Sequence, residues 1–133
     1  MTAAATVRGM DACVTTCVHP EAVSYVRGRM LPEGEVARVA AVFKLLGDPT
    51  RTSLLYALLE TGELCVCDLA ATVGINEATV SQALRLLRAT GVVVGRRQGR
   101  LVYYSLADSH VRMLLDLTRE HVLHGDVDSG GSA

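Results

Sequence analysis

Two short helix-compatible segments hinged on a glycine constrain this chain more than any other feature. Cys67 to Val73 reads as one helix, Gly74 as the turn, and Asn76 as the cap of a second helix running to about Thr90. With Val80 as reference, Leu84 and Leu87 fall on the inward face, while Ala78, Ser81, Gln82 and Arg85 fall on the opposite one. A helix, a tight turn and a second helix with a polar outer face make the helix-turn-helix pattern. Any two short helices can satisfy it, so the flanking sequence has to decide.

Val92-Val93-Val94 and Leu101-Val102-Tyr103-Tyr104 are β-rich runs on either side of Arg96-Arg97-Gln98-Gly99-Arg100. That predicts a hairpin with a basic tip, the wing of a winged helix. From Ser81 to Ala107 there are five arginines and no acid, in a chain of formal net charge -1. A local patch of that sign attracts phosphate. A merely solvated face and an ordinary surface hairpin are the competing readings; three arginines among five tip residues favour phosphate contact.

The remaining chain fits one domain of 133 residues. With 50% hydrophobic residues, no Trp and a single Phe, the core must be aliphatic. Glu33 to Leu46 reads as a helix with Val36, Val39, Ala40, Phe43 and Leu46 on one face, ended by Gly47. Asp48-Pro49 supplies an N-cap and a first-turn proline for the next helix, which carries Leu54, Leu55, Leu58 and Leu59 to Gly62. Asp108 to about His124 forms a last helix with Val111, Leu114, Leu115, Thr118 and Val122 on one face. The segment between Pro20 and Pro32 carries no assignment. The expected organisation is an N-terminal arm over 1–31, a winged-helix DNA-binding and dimerisation domain over 32–124, and a disordered Gly/Ser/Asp tail over 125–133. No apolar run approaches the roughly 18 residues of a membrane span, and residues 1–11 lack the apolar centre of a signal peptide. A cytoplasmic location and no membrane partner follow as expectations.

Cysteine spacing then suggests a chemistry. Cys65 and Cys67 sit at Cys-x-Cys spacing on the leading edge of the helix pair, and Cys13 and Cys17 lie one helical turn apart near the N-terminus. In a reducing compartment close thiol pairs bind metal or do redox chemistry more often than they form structural disulfides. Thiolates are soft ligands suited to zinc, cadmium, lead and copper(I), and each pair is half of a four-sulfur site.

Three of the four histidines fall on the last helix. His110 and His121 are separated by roughly 16 Å at about 1.5 Å per residue, too far to share an ion within one chain. Eleven residues is close to three turns, so both lie on nearly one face. If this helix pairs antiparallel with its copy, Asp108 and His110 meet the other subunit's His121 and His124, giving two equivalent sites suited to zinc. The plain alternative is that Asp108 caps the helix and the histidines are surface residues.

Taken together, Glu-Leu-Cys-Val-Cys-Asp-Leu, Leu-Gly-Asp-Pro-Thr-Arg, the Ser81/Leu84/Leu87 helix and Tyr-Ser-Leu-Ala-Asp-Ser-His resemble the ArsR/SmtB family of metal-sensing repressors, its CadC-like members in particular. The resemblance runs from about Cys13 to His124. It implies a mainly α fold with a small β-hairpin, a winged helix-turn-helix, forming a homodimer through its first and last helices. It further implies that Cys65 and Cys67 take an ion together with Cys13 and Cys17 from the other subunit's arm. Relatives with a site centred on Cys-x-Cys sense arsenite or antimonite instead. Asp108, His110 and His121 match the family's interfacial zinc site, whereas His124 stands where that family has Glu. Ala83 stands where the recognition helix usually has His.

The mechanism implied is a metal-free dimer on double-stranded operator DNA, with Ser81, Gln82 and Arg85 reaching bases or phosphates, Thr79 assisting, and Arg96, Arg97 and Arg100 gripping phosphates. Metal at the thiolates releases it. A thiol redox switch on the same cysteines and a structural zinc module are the rivals. No Cys-x-x-Cys pair, nucleophile elbow, phosphate-binding glycine loop or His-Glu-x-x-His motif occurs, so neither catalysis nor a small organic substrate is expected.

Overall fold

The computed structural model describes residues 17–132, with side chains through residue 125. The chain divides into two compact units, Met1–Arg38 and Val39–Ala133.

The first unit holds α1 (Pro20–Arg27), with proline in its first turn, Glu21 facing the positive end of the helix dipole and Arg27 the negative end. No residue of this helix is buried. Arg29 lies 3.7 Å from the centroid of the Tyr25 ring and donates to the Tyr25 carbonyl. This helix answers the segment left unassigned between Pro20 and Pro32. Its start signals were legible, but an eight-residue helix without a buried face leaves no periodicity to read. Helix α2 (Glu33–Leu46) begins in this unit and ends in the second.

In the second unit, α3 (Pro49–Thr61) starts where the Asp48 carboxylate accepts from the Arg51 amide at 3.0 Å. A two-residue strand, β1 (Leu64–Cys65), leads into α4 (Val66–Val73) and α5 (Glu77–Ala89). Gly74 closes α4 at φ 73°, a left-handed conformation that a Cβ would strain. The Asn76 side chain then caps α5 by accepting from the Thr79 amide at 2.8 Å. Strands β2 (Val93–Gln98) and β3 (Leu101–Leu106) form the wing. Both are longer than the sequence suggested, so Arg96 and Arg97 are strand residues and only Gly99-Arg100 make the turn. Gly99 at φ 65° supplies the positive first-position φ of a two-residue II′ hairpin.

The sheet is antiparallel in the order β1-β3-β2. Its third strand, β1, had no signal in the sequence, because two residues cannot display a period of two. Leu54, Leu55, Leu58, Leu69, Val80, Leu84, Leu87 and Val93 form the fully buried centre. Burying each such side chain contributes about 1.5–3 kcal/mol before entropy is subtracted. The aliphatic core and the Val80/Leu84/Leu87 face are as expected.

The last helix, α6, covers Ser109–Ser132. It continues past the expected end at His124, through the stretch expected to be a disordered tail. An interior glycine costs only about 1 kcal/mol relative to alanine, and extending a formed helix is far easier than starting one. Gly125 therefore does not stop it. No helix among the described residues is long and apolar enough to cross a membrane.

Candidate metal centre and nucleic-acid interface

Strand β1 delivers Cys65 to the start of α4, where it is buried while Cys67, on the first turn, is exposed. Their sulfurs lie 3.5 Å apart. Two thiolates bound at about 2.3 Å to a tetrahedral zinc are separated by about 3.8 Å, so this pair needs only a few tenths of an ångström to chelate. The Asp68 carboxylate joins them, all three ligand atoms lying within 4.8 Å of one another. The donor set fits a thiophilic divalent ion. Asp68 escaped the sequence reading, although it directly follows Cys67. The sulfur contact with Cys65 raises the Cys67 thiol above its ordinary pKa, and the Asp68 and Glu77 carboxylates add to the rise. An entering ion must therefore displace a proton. Cys17 is a half-buried free thiol in the first unit; Cys13 lies outside the described residues.

On α5, Thr79, Gln82 and Arg85 are exposed and Ser81 is half-buried. Arg85 donates to Gln82 Oε1 at 2.9 Å, so these two outward side chains are already matched. Ala83 is 5% exposed and belongs to the core, so this position presents nothing outward. On the wing, Arg97 and Arg100 are exposed, and Arg97 makes a 3.5 Å contact to the Gly99 carbonyl. Arg96 is differently placed. Its Nε and Nη2 donate to the two oxygens of Glu63 at 2.9 and 2.8 Å, and its Nη1 donates to Gln98 at 2.7 Å. Those bonds hold the Glu63 carboxyl below its usual range. Sequence reasoning missed Glu63 because its partner is 33 residues away.

The last helix opens with Asp108, whose Oδ1 accepts from the amides of His110 at 3.0 Å and Val111 at 3.1 Å. These amide bonds, the Val111 one foremost, lower its pKa. Asp108 is thus an N-cap, as the plain alternative has it. His110 is exposed with Nδ1 3.6 Å from Asp108. His121 and His124 border a shallow depression with Leu117 and Glu120 further along the same helix. Within one chain the two halves of the quartet stay apart, as the spacing required.

A polar-faced helix held by a glycine turn against a second helix, followed by an arginine-bearing hairpin, defines a winged helix-turn-helix DNA-binding domain. Residues 48–94 match the family described as bacterial regulatory protein, arsR family. The chain is 42% identical over 106 residues to a cadmium resistance transcriptional regulatory protein CadC homolog of Staphylococcus aureus, covering 80% of this chain and 87% of that one. It is similar in structure to the AntR antimony-specific transcriptional repressor, with TM-score 0.66 and 31% identity over 84% of this chain and 98% of that one. It also resembles a homodimeric winged helix-turn-helix DNA-binding domain from Mycobacterium bovis, with TM-score 0.63 and 33% identity over 71% and 93%. The chain belongs to the arsR family of bacterial regulatory proteins, which are transcriptional regulators and not enzymes.

Proposed function

We propose that the chain is a metal-responsive cytoplasmic repressor that binds operator DNA as a homodimer and lets go when cadmium, lead or zinc occupies Cys65 and Cys67. The observation that carries this is the 3.5 Å pair of sulfurs on the first turn of the helix-turn-helix, with an acceptor carboxylate beside it. The cadmium-related name of the Staphylococcus aureus relative supports the choice of ion.

In this reading Cys13 and Cys17 come from the partner's arm, residues 1–31, to complete four-sulfur coordination. The α5 helices of two subunits, within residues 32–124, occupy successive major grooves through Thr79, Ser81, Gln82 and Arg85, with Arg97 and Arg100 on phosphates. Four thiolates around a divalent ion leave a net charge near -2 beside the DNA face, which repels phosphate. Metal and DNA must weaken one another by the same factor, with typical couplings of about 1–3 kcal/mol, or roughly 5–150-fold. Exposed Phe43 on α2 and exposed Met113, Leu117 and Val122 on α6 support dimerisation through those helices. Asp108 and His110 with His121 and His124 of the partner subunit would hold zinc there.

The test is operator affinity at fixed salt with and without cadmium, for the native chain, Cys67→Ser and His110→Ala. Loss of the response in Cys67→Ser alone makes the thiols the sensor; equal affinity with and without cadmium in the native chain removes the sensing role. A second reading, response to arsenite or antimonite, is favoured by the antimony-specific repressor among the structural relatives. It predicts release by antimonite where cadmium has no effect, and a thiol redox switch predicts release by peroxide without metal.

A further inference from the structure

Cys65, Tyr103 and Arg96 occupy one row across the sheet. Cys65 on β1 is opposite Tyr103 on β3, and Tyr103 is opposite Arg96 on β2. Directly opposed residues point to the same face of a sheet. The Arg96 guanidinium lies over the Tyr103 ring at 5.1 Å from its centroid, a cation–π geometry. Glu63, one residue before β1, closes the row by taking the Nε/Nη2 edge of Arg96 with both oxygens.

That edge is one of the two on which a guanidinium can take a phosphate bidentately, since carboxylate and phosphate match the same fork. Of the five N–H donors of the side chain, the side-on pair is engaged by Glu63 and one on Nη1 by Gln98. The ion pair is not buried: the side chains of Arg96 and Glu63 are 52% and 38% exposed. Exchange for another anion is therefore open to solvent and sensitive to salt.

We propose that Glu63 is a positioning residue for the wing: its carboxylate competes with an operator phosphate for Arg96, and an ion on Cys65 and Cys67 strengthens its hold. The second half rests on the sensor reading above. Coordination fixes Cys65, and with it the register of β1 against Tyr103, which keeps Glu63 level with Arg96. DNA favours the opposite state, in which the guanidinium turns from the carboxylate to the phosphate. The wing arginines are thus unequal. Arg97 and Arg100 are free of carboxylate partners among the described residues, while Arg96 is the regulated one.

The experiment is a double-mutant cycle on the full metal-free chain, titrating operator DNA over a range of salt with the native protein, Glu63→Gln, Arg96→Ala and the double variant. Glu60→Gln, an exposed carboxylate on α3, controls for simple loss of negative charge. Glu63→Gln should tighten binding by up to roughly fivefold. That tightening should vanish in the Arg96→Ala background, and Arg96→Ala alone should flatten the log–log salt slope by about 0.9 for each protomer, because one phosphate contact is lost. The same tightening without Arg96, or an Arg96→Ala slope equal to the native one, overturns the competition. Cadmium binding is then read by sulfur-to-metal charge-transfer absorbance in native and Glu63→Gln proteins, alongside operator affinity. The variant should bind the ion yet lose less operator affinity on loading; an equal loss overturns the link between thiols and wing. A native chain that keeps full affinity with cadmium bound overturns the sensor reading and the link with it, whereas the metal-free cycle judges the competition alone.

Discussion

The Tyr56 hydroxyl donates to the Leu115 carbonyl at 2.6 Å, bridging α3 and α6 across 59 residues of sequence. It is a long-range polar clasp at the edge of the core, next to half-buried Leu59 and Val111. Tyr56→Phe should lower unfolding free energy by about 0.5–1.5 kcal/mol, measured by urea titration near neutral pH. Partial burial raises the Tyr56 pKa above its ordinary value of about 10. The folded state thus favours the neutral phenol, so this contribution is complete below about pH 10 and is lost as pH climbs through the folded pKa. Native protein should weaken in that alkaline window by more than Tyr56→Phe does.

Asp48 and Asn76 perform the same local task at α3 and α5, each accepting from a backbone amide three residues on. Replacing either by Ala should cost about 1 kcal/mol of stability. Only Asn76→Ala should also weaken operator binding at a temperature where both variants are folded, because it frays the first turn of the helix carrying Thr79 and Ser81. Anisotropy titrations beside denaturation curves check this. Equal operator affinities for the two variants would show that the turn before α5 does not present the reading surface.

Leu84 and Leu87 are fully buried, whereas Leu86 on the same helix is 39% exposed. Truncating either of the first two to Ala should cost about 2–5 kcal/mol, a large share of the roughly 5–15 kcal/mol typical of a domain. Leu86→Ala should cost far less. Shifts in denaturant midpoint at constant slope would check the ranking.

Asp108 caps α6, and substitutions can separate that role from the zinc ligation proposed for it. Asp108→Asn keeps a capping acceptor for the His110 and Val111 amides, so stability should stay within a few tenths of a kcal/mol. The neutral amide is a poorer zinc ligand, so zinc affinity measured by calorimetry should fall. Asp108→Ala should lose both. If Asp108→Asn and native protein bind zinc alike, the carboxylate serves only as a cap.

Why some of this was legible in the sequence follows from range. Helices α2 to α5 were readable because caps, proline and glycine act within four residues, and Val80, Leu84 and Leu87 repeat at helical spacing. The wing was readable as a hairpin, but its strands were drawn too short. Arginine weakens a β signal, and the pairing of Arg96 with Tyr103 is decided by the partner strand rather than by local composition. Helix α1 buries nothing and β1 is too short to show a pattern. Of the candidate site, the thiol pair was visible because Cys-x-Cys is local. Glu63 with Arg96 was not, since no spacing rule joins residues brought together only by the sheet.

Strand β1 is held to the wing by just two residue pairs, Leu64 with Tyr104 and Cys65 with Tyr103. So short a ladder can detach and re-form while the β2–β3 hairpin and the leucine centre stay intact, and its amides should be the quickest in the sheet to exchange with deuterium. In the proposed response, a signal arriving at the thiols would travel through this soft seam, leaving the chain folded with and without the ion.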